Sequence, residues 1–145
     1  MARDSDIDIE RTPDGRRLVV ARHVAAPRDS AWELLTDTER WPEWGPSVRA
    51  VDCPSRFIQP GTRGRVQLPL GIWLPFEVAT CEDYRWTWRV ARIPATGHRV
   101  DDAPAGCRVC FELPVLATGY APVCQRALGT IAELLETGEE RGETE

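Results

Sequence analysis

The chain has 145 residues, 42 % of them hydrophobic and six of them Trp, with a formal net charge of −5, which suits one domain with a real core. Residues 133–145 hold six Glu and one Arg and so carry that entire excess; the neutral body that remains argues against a nucleic-acid face and gives no support for binding to anionic membranes. All 18 basic residues are Arg, which removes chemistry that needs a lysine amine, from Schiff bases to P-loop phosphate contacts.

In chain order, residues 1–16 read as a flexible polar lead-in ending in a turn at Pro13-Asp14-Gly15. It is charged from the start and has none of the apolar run of a signal peptide. The five scattered cysteines are then expected to be reduced thiols of a cytoplasmic protein. Residues 17–24, RLVVARHV, are rich in β-branched side chains and predict a first strand. A short helix follows over AAPRDSAWELLTD, with Pro27 at its first position, where a fixed φ is favourable, and Asp29 beside the helix dipole. Ser30 and Glu33 offer a capping box for a later start. Residues 39–46, ERWPEWGP, hold two prolines and a glycine, so they predict one helical turn and an exit loop, with both Trp folded over apolar surface.

Strands are predicted over 48–53, 64–68, 76–81, 85–93, 97–101 and 107–113, divided by turn residues at Gly61, 69–71, 82–83, Pro94 and 103–106. Gaps this short favour antiparallel hairpins over parallel crossovers. The strands alternate, with Trp86, Trp88 and Val90 on one face and Arg85, Thr87 and Arg89 on the other, so one side of the sheet is buried and one is wet. After Pro114 the period lengthens: Tyr120, Val123, Cys124, Ala127, Leu128, Ile131, Leu134 and Leu135 follow helical spacing. The longest helix is therefore expected over 120–136, about 25 Å at ~1.5 Å per residue. Residues 137–145 are acidic and Gly-interrupted and read as a disordered tail. The domain is expected to span 17–136. No run of about 18 apolar residues occurs, so no membrane insertion is expected.

The order strand, short helices, antiparallel strands and closing helix resembles the helix-grip superfamily of START-related lipid-transfer, pollen-allergen-like and polyketide cyclase/dehydrase-like proteins. The strings that carry the likeness are VARHVAAPRDSAWELLTDTERWPEWGP at 20–46, GTRGRVQLP at 61–69 and DYRWTWRV at 83–90. The resemblance implies an α+β domain: a curved antiparallel sheet of about six to seven strands wrapped around the C-terminal helix, with a cavity between them. Strand positions Val66, Leu68, Phe76, Val78, Trp86, Trp88, His98, Val100, Val109 and Phe111 would face that cavity, joined from the helix by Tyr120 and Cys124. An apolar lining with few polar groups suits a small hydrophobic or aromatic ligand. Members of this superfamily also include polyketide cyclases, aromatases and dehydratases, and modules that regulate chaperones, so an enzyme and a protein-interaction module stand as alternatives.

Among chemistry-bearing residues, His98 shares its parity with Val100 and so points inward, where it could orient a ligand or move a proton; a strand-end histidine bonded to backbone is the plainer alternative. His23 has the opposite parity from Val20 and Val24 and is expected at the sheet's outer face. Cys107 and Cys110 have CxxC spacing, but on a strand they face opposite sides, and Cys53, Cys81 and Cys124 form no second pair, so neither a metal nor a cofactor is expected. Arg85, Arg89, Arg92, Arg99 and Arg108 form outward rows among Glu77, Asp83, Asp101, Asp102 and Glu112, which reads as a solvated face with cross-strand ion pairs. Monomer and dimer are equally open.

Overall fold

In the computed structural model, which describes residues 5–45 and 47–144 (for 138–144 the backbone alone), eight strands form one antiparallel sheet in the order β1-β2-β8-β7-β6-β5-β4-β3. They are β1 Ser5–Thr12, β2 Gly15–Val24, β3 Ala50–Asp52, β4 Arg63–Gln67, β5 Trp73–Glu82, β6 Arg85–Val90, β7 Ile93–Ala103 and β8 Gly106–Leu113. The sheet is curved and unclosed, with β1 and β3 as its free edges. Helix α1 spans Arg28–Thr36, α2 Trp41–Trp44 and α3 Ala121–Thr144.

The strand beyond the expected six to seven is β1, in place of the flexible lead-in expected through residue 16; residues 1–4 of that segment lie outside the described residues. Its alternation of Asp6, Asp8 and Glu10 with Ile7 and Ile9 suits a strand with one wet face. The two-residue turn at Pro13-Asp14 holds Thr12 opposite Gly15, whose φ of 104° asks for glycine. At the other end the helix continues through the segment expected to be a tail, to Thr144, because a Glu- and Arg-rich run without proline can propagate a helix already begun.

Helix α1 begins one residue later than expected, with Pro27 as its N-cap in an extended conformation. The two Trp of α2 fold back as predicted: Trp41 Nε1 donates to the Leu35 carbonyl at 2.9 Å and Trp44 Nε1 to the Leu34 carbonyl at 3.3 Å. They thereby satisfy carbonyls that the end of α1 leaves open. Asp37, buried at the corner, accepts from Glu39 N at 3.0 Å and from the Arg56 guanidinium at 2.9 Å, which ties the helices to the segment that leads into β4.

Two irregularities flank Trp88. Between Val78 and Thr80, β5 has one residue more than β6, and between Pro94 and Gly97, β7 has one more than β6. A surplus residue leaves the ladder locally unpaired and bends the strand. The β6–β7 turn lies at Ala91-Arg92, with φ of 52° and 69°, and Pro94 is inside β7 opposite Arg89, not at the turn as expected.

The concave face packs on α1, α2 and α3 around Leu34, Leu35, Trp41, Trp86, Leu128 and Ile131, all buried. The convex face holds a smaller apolar group, Val19, Ala21 and Cys110, beside an ionic network. There Glu112 is 2 % exposed and lies between Arg85 and Arg99, each 2.8 Å away. Gly97 stands opposite Glu112 in the register, and a Cβ there would come within 2.9 Å of the carboxylate. Expected as a solvated row, this face has its central carboxylate buried instead. The missing side chain at 97 makes the room, and two guanidiniums supply the hydrogen bonds that a buried charge requires.

Candidate functional site

Between α2, the start of α3 and strands β6–β8 lie two adjoining cavities. The inner one is about 60 Å³, and its wall includes Trp41, Trp44, Trp86, His98, Phe111 and Cys124. The outer one is about 260 Å³, bounded by Val66, Leu68, Val90, Leu113 and Ala117 among others. Ser47, Val48, Trp88, Thr96 and Tyr120 belong to both walls, so the cavities meet there. Side by side they reach the lower end of the ~300–1,000 Å³ range of small-molecule sites.

Aromatic stacking builds the inner wall. Trp41 stacks on Trp86 with centroids 5.2 Å apart, and Trp86 stacks on His98 at 3.9 Å. Trp88 meets Trp86 edge-on at 5.4 Å, and Trp44 leans on Phe111 at 5.8 Å. Across the mouth, the Ser47 and Tyr120 hydroxyls share a hydrogen bond of 2.7 Å, which joins the segment after α2 to the residue before α3.

Three buried nitrogens here, Trp86 Nε1, Trp88 Nε1 and His98 Nδ1, have no hydrogen-bond partner among the described residues. His98 is 3 % exposed. Burial pushes its pKa down to about 3, against a backbone hydrogen bond to Trp86 that works upward. The ring is therefore neutral at physiological pH. Burial pushes the Cys124 thiol up to about 12, and it raises Tyr120 as well, with the Ser47 bond acting the other way. The lining can hold and orient an apolar molecule; its titratable groups are held in their neutral forms.

Of the positions expected to face the cavity, Trp86, Trp88, His98, Phe111, Tyr120 and Cys124 line the inner chamber, and Val66 and Leu68 the outer. Phe76, Val78, Val100 and Val109 do not line either. They point to the concave side, but there side chains meet them directly: α1 packs on β7 and β8, and Phe76 is taken up by Trp41 and Trp88 at 5.4 and 5.6 Å. Trp41, Trp44, Ser47, Val48 and Thr96 are lining residues that parity along the predicted strands did not indicate; the folding-back expected of both Trp was the available signal. His23 is exposed, with Nε2 2.9 Å from the Pro104 carbonyl. Cys107 faces the main core and Cys110 the convex cluster, and all five cysteines are free. Among the described residues no group of His, Cys, Asp or Glu is placed to hold a metal ion, and no helix is long and apolar enough to cross a membrane.

A family model described as polyketide cyclase / dehydrase and lipid transport matches residues 16–136. No curated protein matches the chain. Among solved structures, protein Ms6760 of Mycobacterium smegmatis is similar at 17 % identity and a TM-score of 0.62, over 92 % of this chain and 99 % of that one. Protein MLL2253 of Mesorhizobium loti aligns at 20 % identity and a TM-score of 0.67, over 84 % and 98 %. DynU16, a protein of the dynemicin biosynthetic locus, aligns at 22 % identity and a TM-score of 0.59, over 83 % of this chain and 47 % of that one. At such identities the likeness is one of fold.

Proposed function

The chain belongs to the polyketide cyclase / dehydrase and lipid transport family, and from that premise we propose that it binds a small hydrophobic or aromatic ligand between the sheet and α3. The observation that carries this reading is the pair of adjoining cavities walled by Trp, Phe and aliphatic side chains. Stacked rings and an apolar surround favour a flat or aliphatic guest through area removed from water.

The family description also includes cyclase and dehydrase chemistry. That reading needs a group able to exchange a proton near neutral pH. His98 is held at about 3 and Cys124 at about 12, which makes binding without acid–base chemistry the better-supported reading.

The test is intrinsic Trp fluorescence during titration with a panel of aromatic and fatty compounds. Trp41, Trp44, Trp86 and Trp88 line the chamber, so occupancy should change emission saturably, and Trp88→Leu should weaken the response. A flat response to the whole panel would count against a ligand-binding role.

A further inference from the structure

Three connections of the sheet carry exposed apolar side chains, and the topology brings them together. Gln67 pairs with Trp73, Phe76 with Val90, Val90 with Ile93 and Gly97 with Glu112. The β4–β5 loop, the β6–β7 turn and the link from β8 to α3 therefore leave the sheet at one end, within about 15 Å at ~4.8 Å per strand. The outer cavity lies at this end, bounded by Leu68, Val90, Pro94, Pro114 and Ala117 among others. Beside these residues in the chain stand Leu70, Ile72, Ile93, Val115 and Leu116, which are exposed and line neither cavity.

The fold itself gives no reason for such tips. Leu70 has a φ of 76°, a conformation that suits glycine or asparagine and strains leucine, and it is 95 % exposed. Leu116 is fully exposed. Neither side chain is stabilised by burial. Single apolar residues are ordinary on a protein surface, but five around one opening mark a contact site.

Charge restricts what makes the contact. Residues 67–73, 88–94 and 113–120, with Val48-Arg49 ahead of β3, hold Arg49, Arg89 and Arg92 and no Asp or Glu. Arg49 belongs to the same end, since its backbone N–H donates to the Gln67 carbonyl at 2.7 Å. All three guanidiniums are on exposed residues and, among the described residues, none is paired with a carboxylate. At the same edge, Arg65 lies over the Trp73 ring, 4.9 Å from its centroid. The β1–β2 turn adds the exposed Arg16, and Asp14, which is 2.8 Å from Arg85. The neutral charge of the body as a whole conceals this local excess of cations. A second copy of the chain docked tip to tip would set arginine against arginine, whereas an anionic surface complements them.

We propose that this end of the molecule docks on an anionic lipid surface. Leu70, Ile93 and Leu116 enter the boundary between headgroups and acyl chains, the arginines meet the headgroups, and the outer cavity faces the bilayer. Shallow entry of this kind needs no spanning segment. Each arginine near such a surface strengthens binding about fivefold. The proposal goes beyond the ligand-binding reading and does not depend on what fills the cavities.

The test sediments the full chain with phosphatidylcholine vesicles, with and without phosphatidylserine, at low and high salt. Binding is expected to be at least about tenfold tighter to the phosphatidylserine vesicles and to weaken with salt. Leu70→Asn/Leu116→Asn should lower that binding by at least about tenfold, because two leucines no longer leave water. The same variant should unfold at an equal or higher temperature, since asparagine accepts the φ at position 70. Arg49→Gln/Arg92→Gln should lower affinity for the anionic vesicles by at least about tenfold and leave that for phosphatidylcholine unchanged. No binding to phosphatidylserine vesicles at low salt overturns the proposal, and so does binding that the asparagine variant retains. Equal binding to the two kinds of vesicle overturns the anionic surface. A lipid-free dimer that the asparagine variant loses assigns the tips to a second copy and overturns the proposal as well. The fluorescence titration with soluble compounds is unaffected by any of these results, so the two readings fail separately.

Discussion

Replacing His98 by phenylalanine keeps a flat ring against Trp86 and removes a titrating group from the chamber. In the folded protein burial holds this imidazole at about 3, against an ordinary value of 6.5. In the unfolded chain it titrates at the ordinary value. As pH falls through 6.5, the unfolded chain therefore takes up a proton that the folded chain refuses, and the wild type loses stability. The loss grows by about 1.4 kcal/mol per pH unit and stops near pH 3, so it reaches ~2 kcal/mol at pH 5 relative to pH 7.5. The carboxylates and His23 are common to both proteins and cancel in the comparison. Urea unfolding of wild type and His98→Phe at pH 7.5, 6.5, 5.5 and 5.0 reads the effect. Whatever the gap at pH 7.5, it should move by ~2 kcal/mol in the variant's favour at pH 5, about 1 M in midpoint for a slope near 2 kcal/mol/M. A gap constant across the series to within about 0.5 kcal/mol, well below that expected change, refutes the assignment of a neutral, desolvated imidazole.

On the convex face, Glu112→Gln removes the charge that Arg85 and Arg99 share and should destabilise the fold by about 2–4 kcal/mol, since a broken buried pair leaves its partners uncompensated; chemical denaturation measures this, and a cost under about 0.5 kcal/mol, the range of ordinary surface changes, would show the network to be incidental. Gly97→Ala places a Cβ within 2.9 Å of the same carboxylate and should cost about 1–3 kcal/mol by overpacking, but much less when added to Glu112→Ala, where the opposing carboxylate is gone. Burial holds Cys81 and Cys107 at about 11 and Cys110 and Cys124 at about 12. A thiol-exchange reagent at pH 8 should therefore label Cys53 well before the other four, a mass-spectrometric order that rapid labelling of Cys124 would contradict.

Much of this architecture is legible in the sequence because its periods are clean. The two-residue alternation through Arg85–Val90 and the helical spacing from Tyr120 onward locate β6 and α3 directly. β1 is harder to see, since Ile7 and Ile9 sit among acidic residues and remain about half exposed; its strand character depends on pairing with β2. The β6–β7 turn gives no local signal, because Ala91 and Arg92 take the positive φ that Asn and Gly usually supply, while Pro94 looks like a turn and lies within the strand. For the site, parity shows which side a residue faces but not whether a helix covers it. Val100 and Val109 share the inward side with His98 and Phe111 on the same two strands, which α1 also contacts, yet only the latter two line a cavity. The contribution of Trp41, Trp44 and Ser47 depends on how α2 docks, a tertiary event that no period encodes.

The paired irregularities beside Trp88 decide where this sheet can change the length of its strands. Because side chains alternate, removing one residue from a strand turns everything on one side of the cut inside out. The surplus residues in β5 and β7 already absorb one such step each. Deleting Ala79 or Ala95 would take out the extra residue and let the strand run in plain alternation opposite β6, so Val78 and Cys81, or Thr96 and His98, keep their side and only the bend is lost; deleting Glu77 or Arg99 would turn their neighbours over. In aligning, shortening or grafting this sheet, these two places can lose a residue without inverting a face, and the regular stretches beside them cannot.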